Sequence, residues 1–580
     1  MFKYKLNSFY NVADYTDNFV EHYLKAINID EVSSFLIGPK PEDELDPYLL
    51  ENMQRGIDML HKHITLNSIV YLLVDCDPDG YTSASIVNNY CKNVAPTLRI
   101  VHALHETKEH GIEDINNIPS ECSLIIIPDA GSSQKDELLA LAEQGKDILV
   151  LDHHESDVEI THDNIVIINN QLSPRFPNKA LSGAGIVFKF IEAYDKQYGD
   201  GQYWMKYYDL AMPGGISDVM YSGTLDNNYI FTMGLENIHN KFLKALLEKQ
   251  SYSVTSTTNP TKIDIAFYIT PVINGVIRIG TQEEKENLFR AMANNDINEQ
   301  VETVYRGQTR IETFYEFVAR ESANIKSRQD ALITKTTEKI FAKIEEQGLQ
   351  NNQLIIYKTS LSNKEEVPKV LTGLVAMKIC AKYNRCTLVV RPQMVDGVQY
   401  YMGSGRGKIA DGFDSLRDFL VESNLVEMAQ GHAMAHGVSI KEENIDKLIE
   451  YSNSKLKDVD FGSDVVEVCG INPPIAAVRD FAEHPSIYGN GIPTPTFVFT
   501  TVLGSGSYTV MGSRMDTIKF LFNGITFIKF HAKELIQELQ EHEGYIDIEI
   551  AGRPQINEFR GNSTLQVIID NYNIRTHSII

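Results

Sequence analysis

The chain has 580 residues and a mass of 65.4 kDa, so at about 100–200 residues per domain it is expected to contain about three to five domains. Hydrophobic residues make up 43% and charged residues 23%, which excludes disordered, collagen-like and coiled-coil proteins. The 53 Lys and Arg against 78 Asp and Glu give a net charge of −25, which excludes a uniformly basic surface for nucleic acid but not a local positive groove.

The first residues, MFKYKLNSFYNVADY, lack a basic region followed by an apolar segment, and no run of about 18 apolar residues occurs in the chain. We therefore expect a cytoplasmic protein without a membrane segment. The six cysteines are scattered and form no CxxC pair. Reduced thiols are expected, and neither a disulfide framework nor a structural zinc site is.

From about residue 68 to 230, apolar segments of strand length alternate with helical segments. The predicted strands are SIVYLLV at 68–74, SLIIIP at 123–128, DILVL at 147–151 and NIVII at 164–168. Continuous apolar runs flanked by helices are typical of a parallel sheet that is covered on both faces. The sequence therefore predicts an α/β domain in this part of the chain.

The second half predicts a helical connection and two more domains. A polar segment at 251–262 precedes a long charged helical region from 283 to 347, which is broken near Asn294. A smaller α/β domain follows, with strands at 353–357 and 387–391, a helix at 370–383 and a glycine-rich turn, GSGRG, at 403–407. From Val465 onward, short strands and turns predict a small antiparallel barrel. The expected domains are 1–250, 251–350, 351–455 and 456–580.

Acidic residues follow three of the predicted strands. The first strand leads into Asp75, Asp77 and Asp79, the second into Asp129, and the third into Asp152-His153-His154. Because the carboxyl ends of parallel strands meet at one edge of a sheet, these side chains are expected to converge there, with Asp218 as a further member. Carboxylates brought together repel each other unless divalent cations lie between them.

Oxygen ligands with one imidazole favour manganese or magnesium over zinc, and the number of ligands fits two ions about 3.5–4 Å apart that share one carboxylate. Each signal alone has another interpretation: an isolated DxDxDG is a calcium loop or an acidic turn, a single Asp after a strand is a helix cap, and adjacent histidines are usually surface residues. Their order at successive strand ends favours the two-metal site.

Four segments resemble, in order, the motifs of the DHH phosphoesterase superfamily: DCDPDGYTS at 75–83, IIPDAG at 126–131, LDHHE at 151–155 and GISDVM at 215–220. Other segments resemble the RecJ single-strand exonucleases and their C-terminal oligonucleotide-binding (OB) barrel: LSGAGIVFKF at 181–190, ITPVINGVIRIG at 269–280, GSGRG at 403–407, QGHAMAHG at 430–437, YGNGIPTP at 488–495 and IAGRPQINEFRGNSTLQVII at 550–569. The resemblance spans roughly residues 65–575.

The resemblance implies a fold and a set of metal ligands. The fold is a parallel-sheet DHH domain and a smaller α/β domain joined by a long helix, with a C-terminal OB-fold barrel. Asp129 is then the expected bridging ligand, His154 contacts the scissile phosphate, and Asp152 orients the histidine pair. The ions are Mn²⁺, with Mg²⁺ as the alternative, and lower the pKa of water for in-line attack on phosphorus. The implied ligands are Asp75, Asp77, Asp79, Asp129, His153 and Asp218.

The substrate contacts are expected in the second α/β domain. GSGRG offers a hydroxyl, backbone N–H groups and a guanidinium, and the resemblance implies that Ser404 and Arg406 hold the 5′ phosphate. It also implies that His432 faces the active-site cleft and that Arg278 contacts another phosphate. Without the resemblance, GSGRG is a plain glycine turn and a lone histidine at a helix start is structural.

Phenylalanines and basic residues in the predicted barrel bear on strand binding. The alternation in TIKFLFNGITFIKF places most of the phenylalanines in the barrel core, and none is assigned as a base-stacking residue. The basic residues expected along a strand-binding groove are Lys519, Lys529, Arg514, Arg553 and Arg560. The segment HALHETKEHGIED at 102–114 departs from the family, which has an arginine before a Gly-Tyr-Gly; Lys108 is the expected substitute.

These features predict a metal-dependent 5′-to-3′ exonuclease that hydrolyses single-stranded DNA to mononucleotides in DNA repair, recombination or replication. We expect a monomer, with a single-strand-binding protein or a helicase as partner. Two alternatives stay open: a phosphodiesterase for short oligonucleotides or nucleotides, and a catalytically silent strand-binding scaffold. The predicted barrel disfavours the first because base stacking serves long strands. The intact acidic residues disfavour the second because a scaffold has no need of buried like charges.

Overall fold

A computed structural model describes residues 2–106, 110–305, 307–360, 366–395, 397–410, 412–461, 465–504, 506–512, 514–541, 544–559 and 562–575. Lys108 and Arg560 lie outside these residues. Across these ranges, none of the helices combines the length and the apolar character that a membrane crossing requires. The six cysteines are buried and reduced.

The first unit contains a parallel sheet of five strands. After β1 (Lys3–Leu6), its strands are β2 (Ile69–Val74), β3 (Arg99–Leu104), β4 (Leu124–Pro128), β5 (Asp147–Asp152) and β6 (Ile165–Asn169). They pair in the order β3-β2-β4-β5-β6, all parallel. The helices of this part are α1 (Phe19–Ala26), α2 (Val32–Leu36), α3 (Met53–Thr65), α4 (Pro78–Val94), α5 (Lys135–Glu143), α6 (Gly183–Tyr198), α7 (Tyr208–Ser217), α8 (Leu225–Glu236) and α9 (Lys241–Lys249).

The predicted parallel sheet is confirmed. Every residue of β4 and β5 is buried, because helices cover both faces of the sheet and leave no side for polar residues. The strand β3 was not predicted. It is an edge strand with mostly half-buried residues, so its sequence, RIVHAL, lacks the continuous apolar run of the central strands.

A helical region follows, but it differs from the prediction. Its helices are α10 (Lys262–Asp264), α11 (Thr270–Ile279), α12 (Gln282–Met292) and α13 (Phe314–Glu346), with a π-helix at Ile265–Ile269. The predicted break near Asn294 is present, yet it contains an antiparallel hairpin of β7 (Gln300–Tyr305) and β8 (Gln308–Thr313) in place of continuous helix. The expectation of helix from 283 to 347 was therefore wrong over this segment. The polar residues of a two-stranded exposed hairpin give no hydrophobic period that marks it as β.

The second α/β unit has a five-stranded sheet in the order β12-β13-β11-β10-β9. Its elements are β9 (Leu354–Lys358), α14 (Thr372–Tyr383), β10 (Cys386–Val395), β11 (Val398–Arg406), α15 (Leu416–Glu422), β12 (Met428–His432), β13 (Ala435–Lys441) and α16 (Glu442–Lys455). GSGRG is not a turn, since its first four residues are the end of β11 and pair with both β10 and β13. QGHAMAHG is not a helix start but the β12–β13 hairpin.

The C-terminal unit is a curled six-stranded sheet in the order β15-β19-β20-β18-β17-β16. Its elements are β14 (Val465–Val468), α17 (Ile475–Glu483), β15 (Phe497–Gly504), β16 (Tyr508–Met511), β17 (Thr517–Phe522), β18 (Ile525–Lys529), α18 (Lys533–Gln540), β19 (Tyr545–Phe559) and β20 (Asn562–Arg575). All pairs in the six-stranded sheet are antiparallel except β18 with β20, which is parallel. As predicted, most of its phenylalanines are core residues: Phe497, Phe499, Phe520 and Phe527 are buried.

The N-terminal segment packs on this C-terminal unit and not on the parallel sheet. β1 pairs in parallel with β14, and buried residues of α1 and α2 share a hydrophobic core with α17 and the curled sheet. We therefore propose that residues 2–36 form one folding unit with the C-terminal sheet, which divides the chain differently from the expected boundary at residue 250.

Candidate active site

The carboxyl ends of the parallel strands bring the predicted acidic residues together around one imidazole. His153 Nε2 lies 3.2 Å from Asp129 Oδ1, 3.5 Å from Asp218 Oδ2 and 4.0 Å from Asp79 Oδ2. Ligand atoms of Asp75, Asp77 and Asp129 also lie within 4.8 Å of one another. Residues from β2, β4, β5 and the end of α7 thus converge on one cluster, as the order of the motifs predicted.

Two helix N-termini fix the orientation of the aspartates after β2. Asp77 is the N-cap of α4, and its Oδ1 accepts a hydrogen bond from the Gly80 N–H at 3.0 Å. Asp79 accepts hydrogen bonds from the N–H groups of Gly183 and Ala184 at 2.8 and 3.0 Å, at the start of α6. The positive ends of both helices therefore face the cluster and offset part of its negative charge.

Asp129 lies at the centre of the cluster in a backbone conformation that few residues adopt. Its φ of 64° is left-handed, and its backbone N–H donates to the Leu151 carbonyl at 2.8 Å. Within the described residues, Asp129 Oδ1 is buried and has no hydrogen-bond partner. A Cβ at Gly183 would lie 2.3 Å from this oxygen, so only glycine fits at the start of α6. The carboxylate is held in place, and its buried Oδ1 lies 3.2 Å from His153 Nε2 without forming a hydrogen bond to any described residue.

The acidic residues strongly disfavour each other's ionisation. Burial and the charges of neighbouring aspartates raise the pKa values of Asp77 and Asp129 above the ordinary range. Burial and the charges of Asp79 and Asp77 raise the pKa of Asp218 to about 8. A divalent cation would remove this repulsion and satisfy Asp129 Oδ1, so the donor set of oxygens and one imidazole fits Mn²⁺ or Mg²⁺.

Asp152 and His154 lie at the rim of the cluster. Asp152 accepts hydrogen bonds from the N–H groups of Ser132 and His153 at 3.0 and 2.7 Å, and from His154 Nδ1 at 2.8 Å. Burial opposes its ionisation, but the hydrogen bond and the charge of His154 outweigh burial and hold the pKa of Asp152 below its usual range. The His154 side chain is more than half exposed, so Asp152 fixes a ring that faces outward.

Asp75 forms hydrogen bonds with residues that the sequence analysis did not identify. Its Oδ1 accepts from the Gly111 N–H at 2.9 Å, and its Oδ2 lies 2.6 Å from His110 Nδ1. The hydrogen bonds of His110 with Asp75 and Cys76 raise the pKa of His110 to about 11. Both oxygens of Asp75 thus face the segment that departs from the family pattern. The signal in the sequence that could have identified this contact is the histidine at position 110, which lies in that segment.

A second group of predicted residues lies at the end of β11. Ser404 Oγ shares a hydrogen bond of 2.9 Å with Thr372 Oγ1, the first residue of α14. A Cβ at Gly373 would lie 2.5 Å from Arg406 Nη2 and 3.5 Å from Ser404 Oγ. Ser404, Arg406 and the start of α14 therefore form one cationic, hydroxyl-rich group suited to an anion. Thr372 and Gly373 were missed because nothing in their local sequence marks them.

Arg278 connects the two groups. It lies in the last turn of α11, where its Nε donates to Asn274 Oδ1 at 2.7 Å and its Nη1 donates to the Val370 carbonyl at 3.2 Å, just before α14. Burial lowers the pKa of Arg278 while the charge of Asp77 raises it. Burial and the charge of Arg278 lower the pKa of Arg406. The guanidinium of Arg278 therefore lies within electrostatic range of both the acidic cluster and Arg406.

His432 is exposed at the end of β12 and is not part of either group. The buried histidine of this hairpin is His436, which pairs with Gly405 on the adjacent strand. A Cβ at Gly405 would lie 2.5 Å from His436 Nε2, so the glycine makes room for the imidazole. The alternation of the hairpin buries His436 and leaves His432 exposed, and the expectation that His432 faces the active-site cleft stays a prediction.

The parallel sheet, its acidic edge and the facing cationic group define the class of DHH phosphoesterases. A family model described as the DHH family, N-terminal domain, matches residues 69–224, and one described as the RecJ OB domain matches residues 477–571. The chain is 32% identical over 530 residues to a protein of Bacillus subtilis (strain 168) provisionally described as an SPbeta prophage-derived single-strand DNA-specific exonuclease, YorK, and covers 90% of each chain. The chain therefore belongs to the RecJ family of DHH exonucleases.

Two further comparisons agree with this assignment. The single-stranded-DNA-specific exonuclease RecJ of Bacillus subtilis is 23% identical over 570 residues, which cover 93% of this chain and 65% of that protein. The crystal structure of RecJ from Thermus thermophilus in complex with Mn²⁺ has a TM-score of 0.70 at 18% identity, over 99% of this chain and 80% of that one. The predicted fold, an α/β DHH domain with a smaller α/β domain and a C-terminal OB fold, is confirmed.

Proposed function

We propose that this protein is a metal-dependent exonuclease that degrades single-stranded DNA from the 5′ end and releases mononucleotides. One observation carries the proposal: the carboxylates converge on His153 while the central Asp129 oxygen is buried without a hydrogen-bond partner in the described part of the chain. A buried anionic oxygen in this state is strongly unfavourable without a cation. The names of the relatives, which specify single-stranded DNA, support the choice of substrate.

The same residues are proposed as the metal ligands. We assign the ions to Asp77, Asp79, Asp129, His153 and Asp218, with Asp75 at the edge of the cluster and Asp129 as the bridging ligand. When bound, two Mn²⁺ ions would activate water and neutralise charge on the leaving oxygen, and Mg²⁺ is the alternative. The α4 and α6 N-termini hold Asp77 and Asp79 in fixed orientations, so the cluster is preorganised.

His154 is the proposed contact to the scissile phosphate. Burial opposes protonation of His154, but the hydrogen bond and the charge of Asp152 outweigh burial and raise the pKa of His154 to about 9. The ring is therefore doubly protonated, and while Nδ1 donates to Asp152, Nε2 of the exposed side chain can donate to a phosphate oxygen. Asp152 is a positioning residue, because it is itself fixed by three N–H groups, those of Ser132, His153 and His154. This arrangement sets the angle of the imidazole before substrate binds.

The polarity is proposed from the cationic group. Ser404, Arg406 and the α14 N-terminus present donors suited to a terminal phosphate, and Arg278 lies in electrostatic range of both this group and Asp77. A 5′ phosphate held there would place the next phosphodiester toward the carboxylates. Cleavage of that bond releases one nucleotide and presents a new 5′ phosphate for the next step.

A path for the strand is proposed between the helical region and the curled sheet. Phe267 and Tyr268 lie in the π-helix and are 66% and 40% exposed. The hydrogen bond from Arg553 to Asp570 raises the pKa of Arg553, and a smaller contribution from Tyr268 indicates that this ring lies near the sheet. Exposed rings beside a guanidinium on an OB fold suit base stacking along a single strand.

We further propose that the protein works in DNA repair, recombination or replication, as a cytoplasmic monomer with a helicase or single-strand-binding protein that supplies its substrate. The composition, the absence of a CxxC pair in the sequence and the DNA-specific names of the relatives support this proposal. The expected domain boundaries at residues 250, 350 and 455 are kept as a proposal, apart from the N-terminal segment described above.

The test uses a single-stranded DNA 40-mer with a label at its 3′ end and Mn²⁺, compared with duplex and RNA of the same sequence. We expect products that shorten from the 5′ end, inhibition by chelator, and no cleavage by the Asp129→Asn variant, which still binds the strand. Asparagine keeps the shape of the side chain and tolerates the left-handed φ of 64°.

Other outcomes would replace the proposal. Shortening toward the labelled 3′ end would overturn the assignment of the 5′-phosphate site. Much faster cleavage of dinucleotides than of the 40-mer would identify a short-oligonucleotide phosphodiesterase. Strand binding without cleavage at any Mn²⁺ concentration would identify a strand-binding scaffold.

A further inference from the structure

A second set of ligand atoms lies around Asp75. Cys76 Sγ lies 3.9 Å from His110 Nδ1 and 4.0 Å from His110 Nε2, and His110 Nδ1 lies 2.6 Å from Asp75 Oδ2. Ligand atoms of Asp75, Cys76 and His110 all lie within 4.8 Å of one another. This group contains a thiol and an imidazole, whereas the proposed manganese ligands are carboxylates and His153.

His105 supplies an independent observation that points to a ligand. Its side chain is only 4% exposed, and its Nε2 has no hydrogen-bond partner within the described residues. This nitrogen faces Asp75 Oδ1 at 3.6 Å, while the other ring nitrogen is bonded to the carboxylate of Glu113. A buried ring with one nitrogen on a carboxylate and the other unsatisfied is the arrangement of a metal-binding histidine.

We propose that Asp75, Cys76, His105 and His110 bind a thiophilic divalent cation of the Zn²⁺ class at a second site that shares only Asp75 with the manganese centre. One sulfur, two imidazoles and one carboxylate are a donor set that zinc takes in tetrahedral geometry, and manganese and magnesium do not prefer it. This proposal revises the expectation from the sequence, which excluded structural zinc because no CxxC pair is present.

Some of the distances already fit a tetrahedral ion, and His105 has to move inward to complete it, because its Nε2 is not among the ligand atoms of Asp75, Cys76 and His110 that lie within 4.8 Å of one another. Metal–ligand bonds of about 2.0–2.3 Å imply ligand–ligand separations of about 3.3–3.8 Å in a tetrahedron. The separations of 3.9 Å from Cys76 to His110 and 3.6 Å from His105 to Asp75 are close to these values. The hydrogen bond of 2.6 Å from His110 to Asp75 would open by about 1 Å as the cation replaces the shared proton.

The shared carboxylate couples the two sites. Ligand atoms of Asp75 lie within 4.8 Å of those of Cys76 and His110 and also of those of Asp77 and Asp129. A cation bound by Cys76 and the histidines would draw Asp75 away from the manganese centre, so zinc should weaken manganese binding. This consequence rests on the proposed function, whereas the zinc site itself does not.

The test titrates the metal-depleted full-length protein with Co²⁺, a spectroscopic substitute for Zn²⁺, in excess Mg²⁺ that occupies oxygen-rich sites. Wild type should develop a thiolate-to-cobalt absorption band and intense tetrahedral d–d bands that saturate with a single equivalent, and Zn²⁺ should abolish both. Cys76→Ala should lose the thiolate band. Cys122→Ala, which removes another buried thiol, should retain it.

A second variant is included because misfolding of Cys76→Ala would also remove the thiolate band. The His110 side chain is 53% exposed, so His110→Asn should fold normally and weaken Co²⁺ binding by about 10-fold or more. A wild-type protein without a thiolate band, a band that persists in Cys76→Ala, or unchanged Co²⁺ affinity in His110→Asn would each overturn the proposal. Nuclease activity is not part of the readout, so a failed exonuclease assay and a failed zinc site are distinguishable.

Discussion

The acidic edge of the first sheet and the cationic edge of the second sheet carry opposite charge, and they differ in whether their polar groups have hydrogen-bond partners. At the edge of the first sheet, burial and mutual repulsion raise the pKa values of Asp77, Asp129 and Asp218, and one Asp129 oxygen has no hydrogen-bond partner within the described residues. At the edge of the second sheet, Ser404 is bonded to Thr372, and Arg406 Nη1 donates to the Gly405 carbonyl at 2.7 Å. We therefore expect a bound cation to stabilise the acidic edge, whereas the cationic edge has hydrogen-bond partners before any ligand arrives.

The most severe test of this comparison is Gly183→Ala. Its new Cβ would lie 2.3 Å from Asp129 Oδ1, so the carboxylate has to move out of the cluster. Loss of correctly placed metal should reduce the cleavage rate by about 10³-fold or more, because metal ions contribute several kcal/mol to the stabilisation of phosphoryl transition states. Initial rates in Mn²⁺ and calorimetric Mn²⁺ binding measure the effect.

Gly437→Ala is the matched control, since its Cβ would be 3.8 Å from the nearest atom. This variant should keep the thermal stability and the Mn²⁺ affinity of the wild type. Unchanged cleavage by Gly183→Ala would show that Asp129 is not held where the structure places it.

If a cation stabilises the acidic edge, Asp129→Asn should be more stable than the wild type without metal and less stabilised than the wild type when Mn²⁺ is added. Without metal, Asp129→Asn should raise the melting temperature because it removes a carboxyl group whose ionisation is opposed by burial and by the neighbouring aspartates. With Mn²⁺ at about 100 times its dissociation constant, the wild type should gain about 2.7 kcal/mol, and the variant much less. Scanning calorimetry with and without Mn²⁺ gives both values, and an equal Mn²⁺ effect on the two proteins would contradict the ligand assignment.

Arg406→Gln tests the cationic edge. A lost charged hydrogen bond of about 1.5–3 kcal/mol corresponds to a decrease of about 10- to 150-fold in kcat/KM on strands with a 5′ phosphate. Strands with a 5′ hydroxyl should be affected little, so the ratio of the two substrates is the diagnostic measurement. Arg479→Gln, an exposed residue paired with Glu483, serves as the control. Equal losses on both substrates would show that Arg406 does not bind the terminal phosphate.

Phe267→Ala tests the proposed strand path. Loss of one stacked base, worth about 1–3 kcal/mol, should weaken binding of a 40-mer by about 5- to 150-fold and leave dinucleotide hydrolysis unchanged. Tyr252→Ala removes another exposed ring in the region before the π-helix and should have no effect. Fluorescence anisotropy measures the affinities. Similar losses in the two variants would place the strand elsewhere.

A smaller effect concerns a buried carboxylate outside the cluster. Burial raises the pKa of Asp209 from 3.8 to about 7, although its Oδ2 accepts hydrogen bonds from the N–H groups of His239 and Asn240, both at 2.6 Å. Because the folded state holds this proton more tightly than the unfolded chain, its stabilisation is full below pH 3.8 and is lost as the pH rises through about 7. Asp209→Asn should flatten the stability curve in this window in chelator, as urea denaturation would show. An unchanged slope would mean that Asp209 is ionised when folded.

The sequence predicted the structure correctly where a short local pattern is enough to identify a strand and the residues that follow it. Continuous apolar runs predicted β2, β4, β5 and β6, and the aspartates after them predicted the cluster around His153, since strand polarity alone places those residues at one edge. Prediction failed for GSGRG, where glycines favoured a turn but pairing with two neighbouring strands decides the structure. The ladder hydrogen bonds of those strands come from residues far away in sequence. Prediction also failed for QGHAMAHG, where a helix start was expected and the structure has the β12–β13 hairpin.

By itself, the sequence determined the membership of the RecJ family, the order of the DHH motifs and the burial of the central strands, because each depends on residue type and short spacing. Only the tertiary structure decided that His105 and His110 face Asp75, that Arg278 is within electrostatic range of Asp77 and Arg406, and that Gly183 leaves room for Asp129. These contacts join segments about 30 to more than 100 residues apart. Their distances are set by how sheets and helices pack, and no local pattern encodes them.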